Sequence, residues 1–134
     1  MGIENVYRAI AAIDGVTVPE RDAAAITQCA LEGSCATSRA TLDMFCAWLG
    51  AVAGNLALTF CARGGVYIAG GISPRFPDLL ARSDFRTQFE AKGRYDAYLR
   101  PIPVSIVLKP DVSFIGLKAF FSQTGTMGGA VVPP

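Results

Sequence analysis

An α/β fold is the class this sequence predicts, on three observations. Two short apolar, β-favouring runs, Val66–Ala69 and Val104–Leu108, lie in a chain whose other apolar residues recur mostly at helical intervals. Gly64-Gly65 and Gly70-Gly71 bracket the first run, and Pro101, Pro103 and Pro110 flank the second, so each reads as a short strand between helices. The order helix, strand, helix, strand, helix implies neighbouring strands buried between helical layers. At 134 residues the chain is long enough for one domain with its own core.

Val6, Ile10 and Ile13 follow Asn5 at helical spacing, and Gly15 supplies a stop, which predicts a short amphipathic first helix. A second helix starts near Pro19 to Asp22, where acids suit the positive helix end. It carries Ile26, Cys29 and Leu31 and ends at Gly33. The third element is the most apolar. From Ser38 onward, Leu42, Phe45, Cys46, Leu49, Val52, Ala53, Leu56 and Phe60 fall on one helical stripe, while Gly50 and Gly54 leave neighbours room to approach. The window Ala40–Ala62 is about long enough to cross a bilayer, so a small membrane protein with helix 40–62 is the rival reading. Asp43 and Asn55 lie inside that window and are costly in hydrocarbon; a central helix in a soluble core is therefore preferred, and no membrane partner is expected.

After the Val66–Ala69 strand, Ser73 as cap and Pro74 in the first turn predict a helix with Phe76, Leu79 and Leu80 on its apolar face. Ser83–Lys92 predicts another, with Phe85 and Phe89 four apart and Gly93 closing it. Beyond the second strand, Asp111 reads as the cap of a helix bearing Phe114, Leu117 and Phe121. Residues 122–134, rich in Gly, Thr and Pro, are expected to be an irregular or disordered tail to a lobe spanning 1–121.

Composition excludes several functions. Only 17% of residues are charged and the net charge is +1, too little field to gather nucleic acid or an anionic membrane surface. Cys29, Cys35, Cys46 and Cys61 lack the paired spacing of a zinc or redox motif, and the chain has no histidine, so no metal centre is expected. The cysteines read as buried thiols of a reducing compartment. The absence of a basic segment followed by an apolar core at the amino end points to the cytoplasm.

Gly64–Phe76, reading GGVYIAGGISPRF, is the segment whose layout suggests a ligand. Glycines at the carboxyl end of a strand let a flat or phosphorylated group approach the backbone, and a following helix start offers N–H donors. The order matches neither the dinucleotide fingerprint nor the lysine-bearing phosphate loop, so the segment alone also fits a plain tight turn. Asp111 after a strand has a catalytic reading beside the capping one. Asp43 suits solvent, a partner or an interior bond. Arg75, Arg82, Arg86, Lys92 and Arg94 form a loose basic group that suits phosphate or ordinary solvation, and no carboxylate pair stands out as acid and base.

The run GNLALTFCARGGVYIAGGISPRF, Gly54–Phe76, resembles the stretch of bacterial glucokinases in which a long helix leads into the adenosine-side strand and its Gly-Gly turn. ENVYRAI at Glu4–Ile10, AITQCALEGSC at Ala25–Cys35, FRTQFEAKGRY at Phe85–Tyr95 and IPVSIVLKPDVSFIGLKAF at Ile102–Phe120 resemble the same family in the same order. The resemblance covers nearly the whole chain and corresponds to the carboxyl-terminal part of the family. It implies membership of the superfamily of actin, heat-shock chaperone ATPases and sugar kinases, hence a partial ribonuclease H-like, actin-like ATPase lobe. The implied activity of the intact protein is Mg²⁺-assisted transfer of the ATP γ-phosphoryl group to the 6-hydroxyl of glucose. Carried over, Gly70 and Gly71 contact adenosine through close backbone approach, with Ile72 and Arg75 as neighbours in an ATP site. The helix from Asp111 to Phe121 resembles the family's closing helix. The phosphate-binding glycine loop, catalytic aspartate and glucose-binding acids precede the matched region in the family, so no catalytic, glucose-binding or metal residue is assigned here. The chain alone is expected to be inactive, to belong with a missing amino-terminal lobe and to form a homo-oligomer. A stand-alone nucleotide-binding or regulatory module without kinase activity is the alternative.

Overall fold

The computed structural model describes residues 2–109 and 111–124, with side chains to residue 122. In order, the chain forms α1 (Gly2–Ile13), α2 (Ala23–Leu31), α3 (Ala36–Thr59), β1 (Val66–Ile68), α4 (Pro77–Arg82), α5 (Phe85–Glu90), α6 (Asp96–Leu99), β2 (Val104–Ile106) and α7 (Val112–Thr124). Short 3₁₀ turns at Ser73–Arg75 and Gly93–Tyr95 precede α4 and α6. The observed class is α/β, mostly helical, with a small parallel sheet. Residues 125–134, the rest of the predicted tail, lie outside the described residues, and α7 itself continues through Ser122 to Thr124.

The helix ends follow the local chemistry of the chain. Asp22 caps α2, its carboxylate accepting from the Ala25 N–H at 2.7 Å. Gly15 and Gly33 take φ of +65° and +70° just past α1 and α2, a conformation cheap only for glycine. The start of α3 is less conventional: Cys35 stands before it without a side-chain capping bond.

The long helix α3 is the hub, with α1, α2, α5 and α6 packed along it. Its inward face is small: Ser38, Thr41, Leu42, Cys46, Gly50, Ala53, Gly54 and Ala57 are buried. The predicted stripe is therefore corrected over its second half, since Val52, Leu56 and Phe60 lie outward, Phe60 being 74% exposed. Gly50 and Gly54 do admit a neighbour. A Cβ on Gly50 would run into the Phe85 carbonyl group, and one on Gly54 into the Phe89 carbonyl, so α5 lies backbone to backbone against α3. The same displacement affects α1 and α2. Ile3, Tyr7, Ala11, Ile26 and Ala30 form the core faces, while Ile13 and Leu31 are exposed. α3 is long and apolar enough to cross a membrane by length and composition. Here it carries much of the core of the folded domain.

Between the strands, Phe76, Leu79, Leu80, Phe85, Phe89, Leu99 and Ile102 complete that core. Phe45 meets Phe76 edge-on with centroids 6.2 Å apart. Arg86 fastens the segment around α6, donating to the carbonyls of Ile102 at 2.9 Å and Arg100 at 2.6 Å while pairing with Glu90. Lys92 reaches across to the Ala51 carbonyl of α3 at 3.0 Å.

β1 and β2 pair in parallel with Val66 opposite Val104, Tyr67 opposite Ser105 and Ile68 opposite Ile106. Val66, Ile68, Val104 and Ile106 pack against the core, whereas Tyr67 is 73% exposed and Ser105 is also outward. The expectation of strands buried between two helical layers is thus corrected: one layer covers the sheet, and the other face is open. The four thiols are likewise not all buried. Only Cys46 is, while Cys29 and Cys35 are half-buried and Cys61 is exposed.

Candidate functional site

Parallel strands aligned side by side place both carboxyl ends at one edge of the sheet, and the segments leaving them frame a crevice there. The Val107 N–H donates to the Ile68 carbonyl at 2.9 Å, which carries the pairing one step past β2 and holds the two exits together. From β1 the chain continues through Ala69, Gly70 and Gly71. From β2 it runs through Val107, Leu108 and Lys109 to Asp111 and the first turn of α7. A cleft of about 470 Å³ opens between them, walled by Ala69, Gly70, Gly71 and Pro74 on one side and by Val107–Lys109 and Asp111–Phe114 on the other. Its walls are largely apolar, with Lys109, Asp111 and Ser113 as the polar side chains, a composition suited to a flat organic group with a few polar anchors.

The Gly-Gly turn is bare. A Cβ at Gly70 or Gly71 would meet no other atom within 4 Å, so the backbone faces open space. Gly70 takes φ +136°, which excludes ordinary side chains on conformational grounds alone. Gly71 carries no such restriction, so its lack of a side chain matters through access to the backbone.

Ile72 and Arg75 go elsewhere. Ile72 is exposed, and its carbonyl accepts the Arg75 N–H at 3.0 Å. Arg75 borders a separate shallow hollow with Ala24, Thr27, Gln28, Leu31 and Glu32 of the α2 region. The structure therefore brings Gly70 and Gly71 together on one cleft and sets Arg75 on a different surface.

The helix predicted to open at Ser73-Pro74 is corrected as well. Ser73–Arg75 forms one 3₁₀ turn, Phe76 breaks it with φ −144° and ψ 56°, and α4 starts at Pro77. Proline pushes its predecessor out of helical dihedrals and brings no N–H of its own, so this start does not supply the donors that Ser73-Pro74 suggested.

Asp111 stands just before α7 at φ +59°, and its backbone carbonyl accepts the Phe114 and Ile115 N–H groups at 3.0 and 3.2 Å. The basic residues disperse. Arg86 and Lys92 bind backbone carbonyls, and Arg94 lies over the Tyr95 ring 5.1 Å from its centroid. Asp43 pairs with Arg39 on the surface of α3 at 3.1 Å. Among the described residues no group of three acidic, cysteine or histidine side chains is placed to hold a metal ion. The far wall of the cleft, Val107–Lys109 and Val112–Phe114, was not singled out from sequence; the available signal was the Lys-Pro-Asp step after a strand.

Comparison with known proteins gives a consistent result. The family model described as Glucokinase matches residues 1–124. A glucokinase of Caulobacter vibrioides is 45% identical over 124 residues, covering 92% of this chain and 37% of the relative. One from Paramagnetospirillum magneticum is 46% identical over 122 residues, covering 91% of this chain and 38% of the relative. Among solved structures, a glucokinase from an Antarctic psychrotroph superposes with a TM-score of 0.82 at 41% identity, over 91% of this chain and 38% of that one. The chain thus spans well under half the length of the curated relatives it matches, in their carboxyl-terminal part.

Proposed function

This chain belongs to the glucokinase family, and from that premise we propose that it forms the adenosine side of the ATP site in an enzyme that phosphorylates glucose. In this reading it is a ribonuclease H-like, actin-like lobe that acts with an amino-terminal lobe of the kind its longer relatives possess. Adenosine lies along the Gly70-Gly71 turn, the purine between that bare backbone and the apolar wall of Val107, Leu108, Val112 and Phe114. The open space beside both glycines is the observation that carries the reading. Gly70 and Gly71 are the contacting pair, while Ile72 and Arg75, which do not line the cleft, take no part in the contact.

Phosphoryl transfer depends on positioning and on charge stabilisation by a base, phosphate-binding groups and Mg²⁺. Among the described residues no group of three acidic, cysteine or histidine side chains gathers to hold a metal ion, and in this reading the charge-handling parts belong to the rest of the enzyme. The chain alone binds adenine nucleotide without transferring phosphate, and the intact enzyme works in the cytoplasm.

NMR titration of the chain with ADP tests this reading. The amides of Gly70 and Gly71 should shift on binding, with a Kd of about 1 mM, equivalent to about 4 kcal/mol, for half of a site. Gly71→Phe should abolish the ADP-induced shift of the Gly70 amide without altering the circular dichroism, because nothing crowds that position. Undiminished ADP binding by Gly71→Phe would remove the adenosine assignment. A coupled assay with ATP, Mg²⁺ and glucose should show no turnover by this chain, and robust turnover would contradict the division of labour.

A further inference from the structure

Asp111 stands at a helix start without capping it. At the start of α2, Asp22 shows what capping requires: extended backbone, with φ −76° and ψ 169°, and a carboxylate that accepts the Ala25 N–H at 2.7 Å. Asp111 instead precedes α7 with φ +59°, in the left-handed region that residues with a side chain rarely adopt. Cys61, also at positive φ, follows the end of α3, where a left-handed residue is the usual terminator. The main-chain carbonyl of Asp111 accepts the first bonds of α7, from Phe114 and Ile115. Among the described residues its carboxylate accepts no hydrogen bond and joins no ion pair. A strained backbone thus carries an acid that the helix does not use, and strain of this kind persists where it serves a site.

The cleft at the carboxyl ends of β1 and β2 is that site. Asp111 lines it across from Gly70 and Gly71, and among the described residues Asp111 and Lys109 are the two charged side chains on its walls. A nucleotide brings three kinds of group to such a cleft. Its purine suits the apolar wall, and its anionic phosphates suit Lys109 but are repelled by a carboxylate. Its ribose offers neutral donors, the vicinal 2′- and 3′-hydroxyls. A carboxylate has two acceptor oxygens for them, and acidic residues take ribose hydroxyls in this way in dinucleotide-binding folds.

We propose that Asp111 reads the ribose in this cleft: its carboxylate accepts the 2′- and 3′-hydroxyls of the bound nucleoside, so that the site selects ribonucleotides over deoxyribonucleotides. This rests on the adenosine assignment of the Gly70-Gly71 turn and adds a specificity-determining residue to it. In the left-handed conformation the carboxylate is withheld from the amides of α7 and stays available to the hydroxyls of a ligand.

The test titrates the isotope-labelled chain with ADP, 2′-deoxy-ADP and 2′,3′-dideoxy-ADP, reading binding from the Gly70 and Gly71 amides by NMR. EDTA is present throughout, so that no metal ion bridges carboxylate and phosphate. ADP should bind about tenfold more tightly than the dideoxy analogue, the loss expected when charge-assisted hydrogen bonds disappear, with 2′-deoxy-ADP between them. In Asp111→Gly the three should bind alike, at the dideoxy level of the unmutated chain. The thermal midpoint of that variant should not fall, because glycine takes φ +59° without strain. Purine riboside diphosphate, which lacks the amino group of adenine, should weaken in Asp111→Gly as much as ADP does. No weakening there would move the carboxylate to the base and overturn the proposal. Equal affinity of the unmutated chain for all three ligands would overturn the ribose contact and leave the adenosine assignment standing, as would a preference for ADP that survives in Asp111→Gly. Failure of ADP to shift either glycine amide would overturn both.

Discussion

Individual side chains in this domain set local electrostatics, and Cys35 shows it most directly. Its thiol lies near 7 in the folded chain against an ordinary value of 9.0, so the unfolded chain holds more protons between those limits. The resulting stabilisation is fully present above pH 9, and it is lost as pH falls through about 7. Urea midpoints measured under reducing conditions should therefore rise from pH 7 to 9 for the unmutated chain relative to Cys35→Ala. Parallel midpoints across that interval would show that the sulfur gains nothing from its neighbours. Local chemistry of this kind was readable in advance where one residue decides the outcome. Asp22 caps, and Gly15 and Gly33 terminate, as side-chain and dihedral rules require. Glycines just past a strand likewise marked the bare turn at Gly70 and Gly71. The wall opposite that turn was not readable, because placing Val107–Lys109 there requires knowing that β1 and β2 are adjacent and parallel.

At the scale of elements, contact is made through small residues. α5 meets α3 at Gly50 and Gly54, where an added methyl group would collide first with the Phe85 and Phe89 backbone, which cannot turn aside as a side chain can. Gly50→Ala should therefore cost about 3 kcal/mol or more, the upper range for overpacking, since the Phe85 carbonyl carbon and Cα lie 2.8 and 2.9 Å from the new Cβ. Gly64→Ala, with no atom within 4 Å, should stay within about 0.5 kcal/mol and serves as the control. Thermal melts of both variants would check this, and equal melting temperatures would refute the close seam. The same geometry explains why periodicity found the helices but misplaced their faces. Weight given to Ile13, Leu31, Val52, Leu56 and Phe60 pointed outward, while the core was built on Ala11, Ala30, Gly50, Ala53, Gly54 and Ala57. Alanine and glycine contribute little to a hydrophobic pattern, yet they allow the closest helix approach.

Across the whole molecule, large apolar side chains face outward on several elements. Trp48, Val52, Leu56 and Phe60 lie along α3, Tyr67 on the open sheet face, and Phe114, Leu117 and Phe121 along α7. Contiguous exposed apolar patches mark interaction surfaces in soluble proteins. The chain spans 37% of the length of its Caulobacter relative, and a larger body is the natural cover for such surface. The isolated chain should self-associate, with an average mass by light scattering that rises with concentration. A constant monomeric mass would count against an uncovered interface.

The seam between α3 and α5 also bears on how force passes through the domain. With main chain resting on main chain at Gly50 and Gly54, there is no compliant layer of side chains to absorb a displacement. Sliding α5 toward the beginning of α3 by one turn would drive the Phe85 carbonyl into Cys46, so gliding is blocked and the two helices act as a single rigid strut.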